Sequence, residues 1–180
     1  MLRSLAENTF SVLSYNVAGL PEILSSGNPS ENSVEIGRRI SNWDVVNVQE
    51  DFNYHAYIYS ENTHLTFDGA DCLTPKGFTF LEIELADGVT FDLYNLHTDA
   101  GVTDADEVAR AANLAQLSDY ITANSADNAV IVMGDTNTRY TRSADTILEF
   151  VEGLGLTDGW VKYVRNRRKG PTLSYVTQTI

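Results

Sequence analysis

Cysteine is almost missing from this chain: Cys72 is the only one. No internal disulfide can form, and a metal site built from several thiolates is excluded. Long apolar runs are missing too. The opening MLRSLAENTF lacks the hydrophobic stretch of a secretory signal, and nothing further along reaches membrane-spanning length. The chain therefore reads as soluble, with its compartment open. Basic charge is scarce: 12 Lys and Arg stand against 25 Asp and Glu, for a formal net charge of −13. Such a balance repels polyanions at long range and argues against a reader of nucleic-acid sequence. A nuclease stays allowed, because a divalent cation held among carboxylates reverses the sign locally. Repeats and low-complexity linkers are absent, so the 180 residues read as one domain, 1–180.

What is present is enough for a core, since 43 % of the residues are hydrophobic and they are spread along the chain. TFSVLSYNVAGLPE is rich in β-branched and aromatic residues until Gly19 and Pro21 favour a turn, which predicts a strand ending near Asn16. In NPSENSVEIGRRISNW, Ile36, Ile40 and Trp43 recur at helical spacing, with Asn32 as cap and Glu35 three residues later. DVVNVQED predicts a second buried strand through Val45, Val46 and Val48, and HAYIYS a third. Two alternating runs flank Ala86-Asp87-Gly88, the signature of an antiparallel hairpin whose second strand ends at His97. Residues 104–124 begin with acids and space Val108, Ala111, Leu114, Leu117 and Ile121 by three or four, predicting a helix. The strand of AVIVMGDTNTR follows, then a helix over Ala144–Glu152 that stops at Gly153 or Gly155, and a last strand in PTLSYVTQTI. Trp43 and Trp160 read as core residues. Hairpins mixed with helices, without regular βαβ alternation, indicate an α+β fold with mostly antiparallel sheets.

The predicted strands end in Asn16, in Glu50, in His97, and in the pair Asp135 and Asn137. Singly, each has a structural explanation: a turn former, a solvated strand end, a satisfied histidine, a loop stabiliser. Jointly they fit the handling of a metal and a phosphate. Glu50 is a hard oxygen ligand of the kind Mg²⁺ prefers, with Asn16 supporting it. Asp135 can orient or deprotonate a water, and Asn137 can donate its amide hydrogens to a phosphate oxygen. His97 can donate a proton or hydrogen bond to a phosphoryl group as its charge grows. The chemistry this describes is metal-assisted phosphoester hydrolysis. Arg139 and Arg142, just beyond, face two roles: contact with substrate phosphate, or pairing with a surface acid. The basic cluster Lys162, Arg165, Arg167, Arg168 and Lys169 reads first as a solvated loop, and otherwise as a seat for a phosphate-rich substrate or an anionic membrane surface.

LSYNVAGLP, VVNVQED, YNLHTDAG and VIVMGDTNTR, in that order, resemble successive motifs of the endonuclease/exonuclease/phosphatase superfamily, the DNase I-like proteins. The likeness is to microbial phosphoesterases related to sphingomyelinases and inositol-polyphosphate phosphatases. It implies a DNase I-like four-layer α/β sandwich of two mainly antiparallel sheets, with the active site at one end. It also implies metal-site roles for Glu50 and Asn16, a phosphate-binding or acid role for His97, and a catalytic pair at Asp135 and Asn137. Mg²⁺ is the implied cofactor, with Mn²⁺ or Ca²⁺ as substitutes, and relatives are often secreted. The family pattern closes with an Asp-His pair, whereas nothing after Asn137 supplies a histidine; the segment from Tyr59 to Phe67 also looks contracted. A shortened chain lacking C-terminal strands is the expectation, with a sheet edge exposed to self-association. The function expected is a phosphodiester or phosphomonoester hydrolase acting on a lipid, an inositol phosphate or nucleic acid, the last as substrate only. The alternatives are a non-specific endonuclease and a catalytically impaired remnant that holds metal or phosphate or serves as an interaction module.

Overall fold

The computed structural model describes residues 10–19, 28–50, 57–58 and 76–163. These fall into two compact units, Met1–Tyr54 and His55–Ile180.

In the first unit, strand β1 (Val12–Asn16) leads to helix α1 (Pro29–Ile40) and strand β2 (Val45–Gln49). The strands pair in parallel, from Val12 opposite Val45 to Asn16 opposite Gln49. A helical crossover between two neighbouring strands requires that sense. Helix α1 starts at Pro29, with Asn28 in the capping position, four residues before the cap expected at Asn32. Proline has no N–H to satisfy and a preset φ, so it opens the helix and leaves Asn32 inside the first turn, its N–H bonded to Asn28 O at 3.0 Å. Glu35 then serves not as a capping partner but as an ion-pair partner for Arg38 and Arg39. The valines of β2 are half-buried, whereas Asn47 and Gln49 are buried. The polar pair is tolerated because Gln49 Nε2 donates to Asn47 Oδ1 and Ser14 Oγ. Trp43, expected in the core, is 43 % exposed.

The second unit is a sheet of order β3-β4-β5-β6, formed by Tyr57–Ile58, Gly77–Ala86, Val89–His97 and Val130–Asp135. Strands β4 and β5 make the expected hairpin, with Gly88 at φ +72° in its turn. Strands β5 and β6 run parallel, joined by helix α2 (Asp104–Asn124). Among the described residues, two of the four strand pairings are therefore parallel, each spanned by a helix, within the mixed strand and helix content expected of the fold. Helix α2 begins at a capping box in which Thr103 accepts from the Asp106 amide and Asp106 accepts from the Thr103 amide. Its Leu114, Leu117 and Ile121 pack with Phe78, Tyr94 and Leu96 of the sheet, Val130 and Val132 of β6, and Ile147, Phe150 and Val151 of helix α3 (Ile147–Gly153). Full burial of a leucine such as Leu117 stabilises by about 1.5–3 kcal/mol. Val108, expected on the inner stripe, is 70 % exposed, and Arg110 and Asn113 are buried nearby. This end of the helix faces a loop whose backbone needs donors and acceptors.

Gly134 decides the geometry at the end of β6. Its φ is +140°, and a Cβ there would lie 2.1 Å from Leu96 O. Only a residue without a side chain lets β6 approach β5 this closely. A short helix α4 (Gly159–Tyr163), absent from the sequence reading, contains exposed Lys162. Arg165, Arg167, Arg168, Lys169, the strand expected in PTLSYVTQTI, Cys72 and the 59–67 segment lie outside the described residues. Among the described residues, no helix is long and apolar enough to cross a membrane.

Candidate active site

Strands β5 and β6 bring His97 and Asp135 directly opposite one another. Thr98 N donates to Asp135 O at 3.1 Å, so the pairing continues one step past the strand end. His97 Nε2 lies 3.9 Å from Asp135 Oδ2, with the two side chains 15 % and 37 % exposed. The same Nε2 is 3.1 Å from Nζ of Lys76. An ammonium can only donate, so in this contact Nε2 accepts and the ring proton belongs on Nδ1. Lys76 is buried, and it is placed by the hairpin: Gly77 pairs with His97, which sets residue 76 beside the strand end.

Asn137 is locked two residues beyond Asp135. Its backbone sits at φ +48°, its N–H donates to Asp135 Oδ1 at 3.0 Å, and its Nδ2 donates to Thr98 O at 3.0 Å. The turn fixes both side chains at once. One amide hydrogen of Asn137 is committed to that anchor, and a second belongs to the same nitrogen. Thr98 Oγ1 donates to Thr136 O at 2.5 Å, tying the ends of the two strands together. Asp135, His97, Lys76 and Asn137 thus form a cluster holding a carboxylate, an imidazole, an ammonium and an amide.

Arg139 and Arg142 part company. The Arg139 side chain is exposed, while its backbone N–H donates to Asp145 Oδ2 at 2.7 Å. The Arg142 guanidinium turns onto protein backbone, with Nη2 on Asn137 O and Nη1 on Gly101 O.

Within the first unit, Asn16 and Glu50 meet at the ends of β1 and β2. Asn16 Nδ2 donates to Glu50 Oε1 at 3.0 Å, and Asn16 Oδ1 accepts from Ala18 N at 2.9 Å. The amide of Asn16 is thereby spent on orienting Glu50. Glu50 itself lies at φ +59°, a conformation costing a non-glycine residue about 1–2 kcal/mol. The distortion is held by Gly19 N, which donates to Glu50 O at 3.0 Å, where a Cβ on residue 19 would come within 2.6 Å. Strain at a polar strand end is a common mark of a functional position.

The structure therefore brings together His97, Asp135 and Asn137 within one unit, and Asn16 and Glu50 within the other. Sequence reasoning missed Lys76. The turn at Ala86-Asp87-Gly88 alone does not reveal it, because an irregularity between Glu84 and Ala86 shifts the pairing by one residue before Gly77 meets His97.

A sequence profile of the endonuclease/exonuclease/phosphatase family 2 matches residues 31–167. A sphingomyelinase of Mycobacterium tuberculosis is 37 % identical over 204 aligned positions, covering 91 % of this chain; the chain spans 40 % of that relative's length. Among solved structures, sphingomyelinase C of Streptomyces griseocarneus matches 93 % of this chain and 82 % of its own at TM-score 0.65 and 16 % identity. A beta toxin mutant of Staphylococcus aureus with bound magnesium ions matches 93 % of this chain and 83 % of its own at TM-score 0.64 and 17 % identity. The fold is DNase I-like, as the motif order implies.

Proposed function

This chain belongs to the endonuclease/exonuclease/phosphatase family, and from that premise we propose that it hydrolyses a phosphoester with the help of a divalent cation, residues 1–180 acting as one catalytic domain. The observation that carries the reading is the register of β5 on β6, which sets Asp135 against His97 with Lys76 and Asn137 at the same strand ends. Asp135 takes the proton of an attacking water. Lys76 and the amide of Asn137 hold phosphoryl oxygens as negative charge grows on them. His97, accepting from Lys76, orients that ammonium and presents its ring to the same phosphate.

Asn16 and Glu50, at the strand ends of the first unit, are the residues we assign to the cation. The donor set suits Mg²⁺: a single carboxylate, pre-oriented by an amide, supplies the hard oxygen, and this ion commonly takes its remaining ligands from water and substrate. A bound Mg²⁺ supplies Lewis-acid polarisation of the phosphoryl group. Glu50 would hold it, and Asn16 would keep Glu50 in place. Mn²⁺ or Ca²⁺ are the substitutes to try.

The substrate class we favour is a phosphodiester of a lipid such as sphingomyelin, the activity named for the mycobacterial relative. The net charge of −13 disfavours a polyanion, so nucleic acid and inositol polyphosphates rank behind it. The test is release of phosphocholine from sphingomyelin in mixed micelles and of p-nitrophenol from bis(p-nitrophenyl) phosphate, each with Mg²⁺ and with chelator. Glu50→Gln and His97→Ala should each lower kcat by at least about a hundredfold. Turnover that survives chelator and both substitutions would sink the assignment.

A further inference from the structure

Resting on the phosphoesterase reading above, we infer that Arg142 is a positioning residue, which sets the orientation of Asn137 through a buried carboxylate at Asp145 and does not touch substrate. The guanidinium is used on protein atoms along its whole fork. Nη2 donates to Asn137 O at 2.8 Å, Nη1 to Gly101 O at 3.1 Å, and Nε pairs with Asp145 Oδ2 at 2.8 Å. The Asp145 side chain is completely buried. It also pairs with Arg110, through Nε and Nη2 at 3.0 Å each. Arg110 is 1 % exposed, and its Nη1 donates to Asp99 O at 3.3 Å and Gly101 O at 3.0 Å.

Two arginines around one carboxylate thus grip the backbone carbonyls of Asp99, Gly101 and Asn137, which belong to the segments leaving β5 and β6. Gly101 at φ +93° and Asn137 at φ +48° both occupy the left-handed region. Asparagine visits that region more readily than most residues, and here the Asp135 carboxylate on its N–H and the Arg142 guanidinium on its carbonyl hold it there. A buried ion-paired cluster is a weak source of stability and a good source of unique geometry. Lysine would keep the charge and lose the planar fork that reaches three acceptors at once.

The test uses Arg142→Lys and Arg142→Gln in the whole chain, with Asp145→Asn as a second way to release the fork. Sphingomyelin hydrolysis should show kcat lower by about ten- to a hundredfold in all three, with KM within about twofold of the parent. Added methylguanidinium should restore part of the loss in Arg142→Gln. Independently of activity, the Asn137 carbonyl, the Thr138 amide and the Asn137 side-chain amide should shift in NMR spectra of Arg142→Lys. A raised KM with kcat retained would mean that Arg142 binds substrate and would overturn the inference, as would unmoved Asn137 resonances. Should the parent prove inactive, the phosphoesterase reading fails and the resonances alone decide: a shift upholds the positioning role and no shift refutes it.

Discussion

The strand ends of the two units reach a fixed geometry by different means. At Asn16 and Glu50 the hold is local: an amide on a carboxylate, a neighbouring N–H on the carbonyl, and a left-handed glutamate stabilised by a glycine next to it. At His97, Asp135 and Asn137 the hold is distant. A buried sheet register, a glycine pressed on the next strand and a carboxylate gripped by two arginines converge there from several elements. Local devices can yield locally, which would suit the metal role proposed for Glu50, since a bound ion exchanges its waters. A geometry held by the core can change only if the core does, which suits groups that must meet a transition state without reorganising.

The largest effect expected from breaking this contrast is Gly134→Ala. The new Cβ would meet Leu96 backbone at a residue already at φ +140°. Strain and overpacking cost about 1–3 kcal/mol each. Urea denaturation should show a clearly lower midpoint with an unchanged slope; an unmoved midpoint would mean that the glycine does not hold the register. Gly19→Ala comes next, its Cβ meeting Glu50 O at 2.6 Å. The cost falls on the Glu50 backbone, so Mg²⁺ affinity should weaken about ten- to a hundredfold while the denaturation midpoint moves less than for Gly134→Ala, as isothermal titration and urea curves would show. If the midpoint falls as far, the local hold assigned to this end is wrong. The smallest effect belongs to Arg139→Ala. With its side chain exposed, stability should stay within about 0.5 kcal/mol and KM should rise by no more than about fivefold, the reach of an exposed ion pair. A larger rise would promote Arg139 to a principal phosphate contact.

Much of the framework is legible in the chain itself. Val12 to Asn16, Phe91 to His97 and Val130 to Asp135 announce themselves because β-branched and aromatic runs give way abruptly to polar residues, and the Asp87-Gly88 turn fixes a hairpin. Helix α2 is readable from its acidic first turn and apolar spacing. The inner face of that helix is not. Arg110 and Asn113 look like solvated positions in a linear pattern, and they are buried only because Asp145 and the backbone at Asp99 supply partners far away in sequence. Val108 looks apolar enough to be inside and yet stands in the open. Lys76 is silent as a single residue, since its meaning arises from the partner strand. Parallel pairing was missed for a related reason: its hydrogen bonds depend on where a helix returns the chain, which no local pattern records.

The parallel seam between β5 and β6 carries a consequence for how this end of the molecule comes into being. Thr98 and Thr136, bonded across it, are 38 residues apart, and the intervening stretch must close as a loop before the seam can zip. Such closures are slow beside hairpin formation, so the β4-β5 ribbon can assemble first, carrying Lys76 and His97 without their carboxylate. During synthesis the half-built ribbon holds Lys76 and His97 without Asp135, so the cluster at these strand ends is complete only once β6 has joined the sheet.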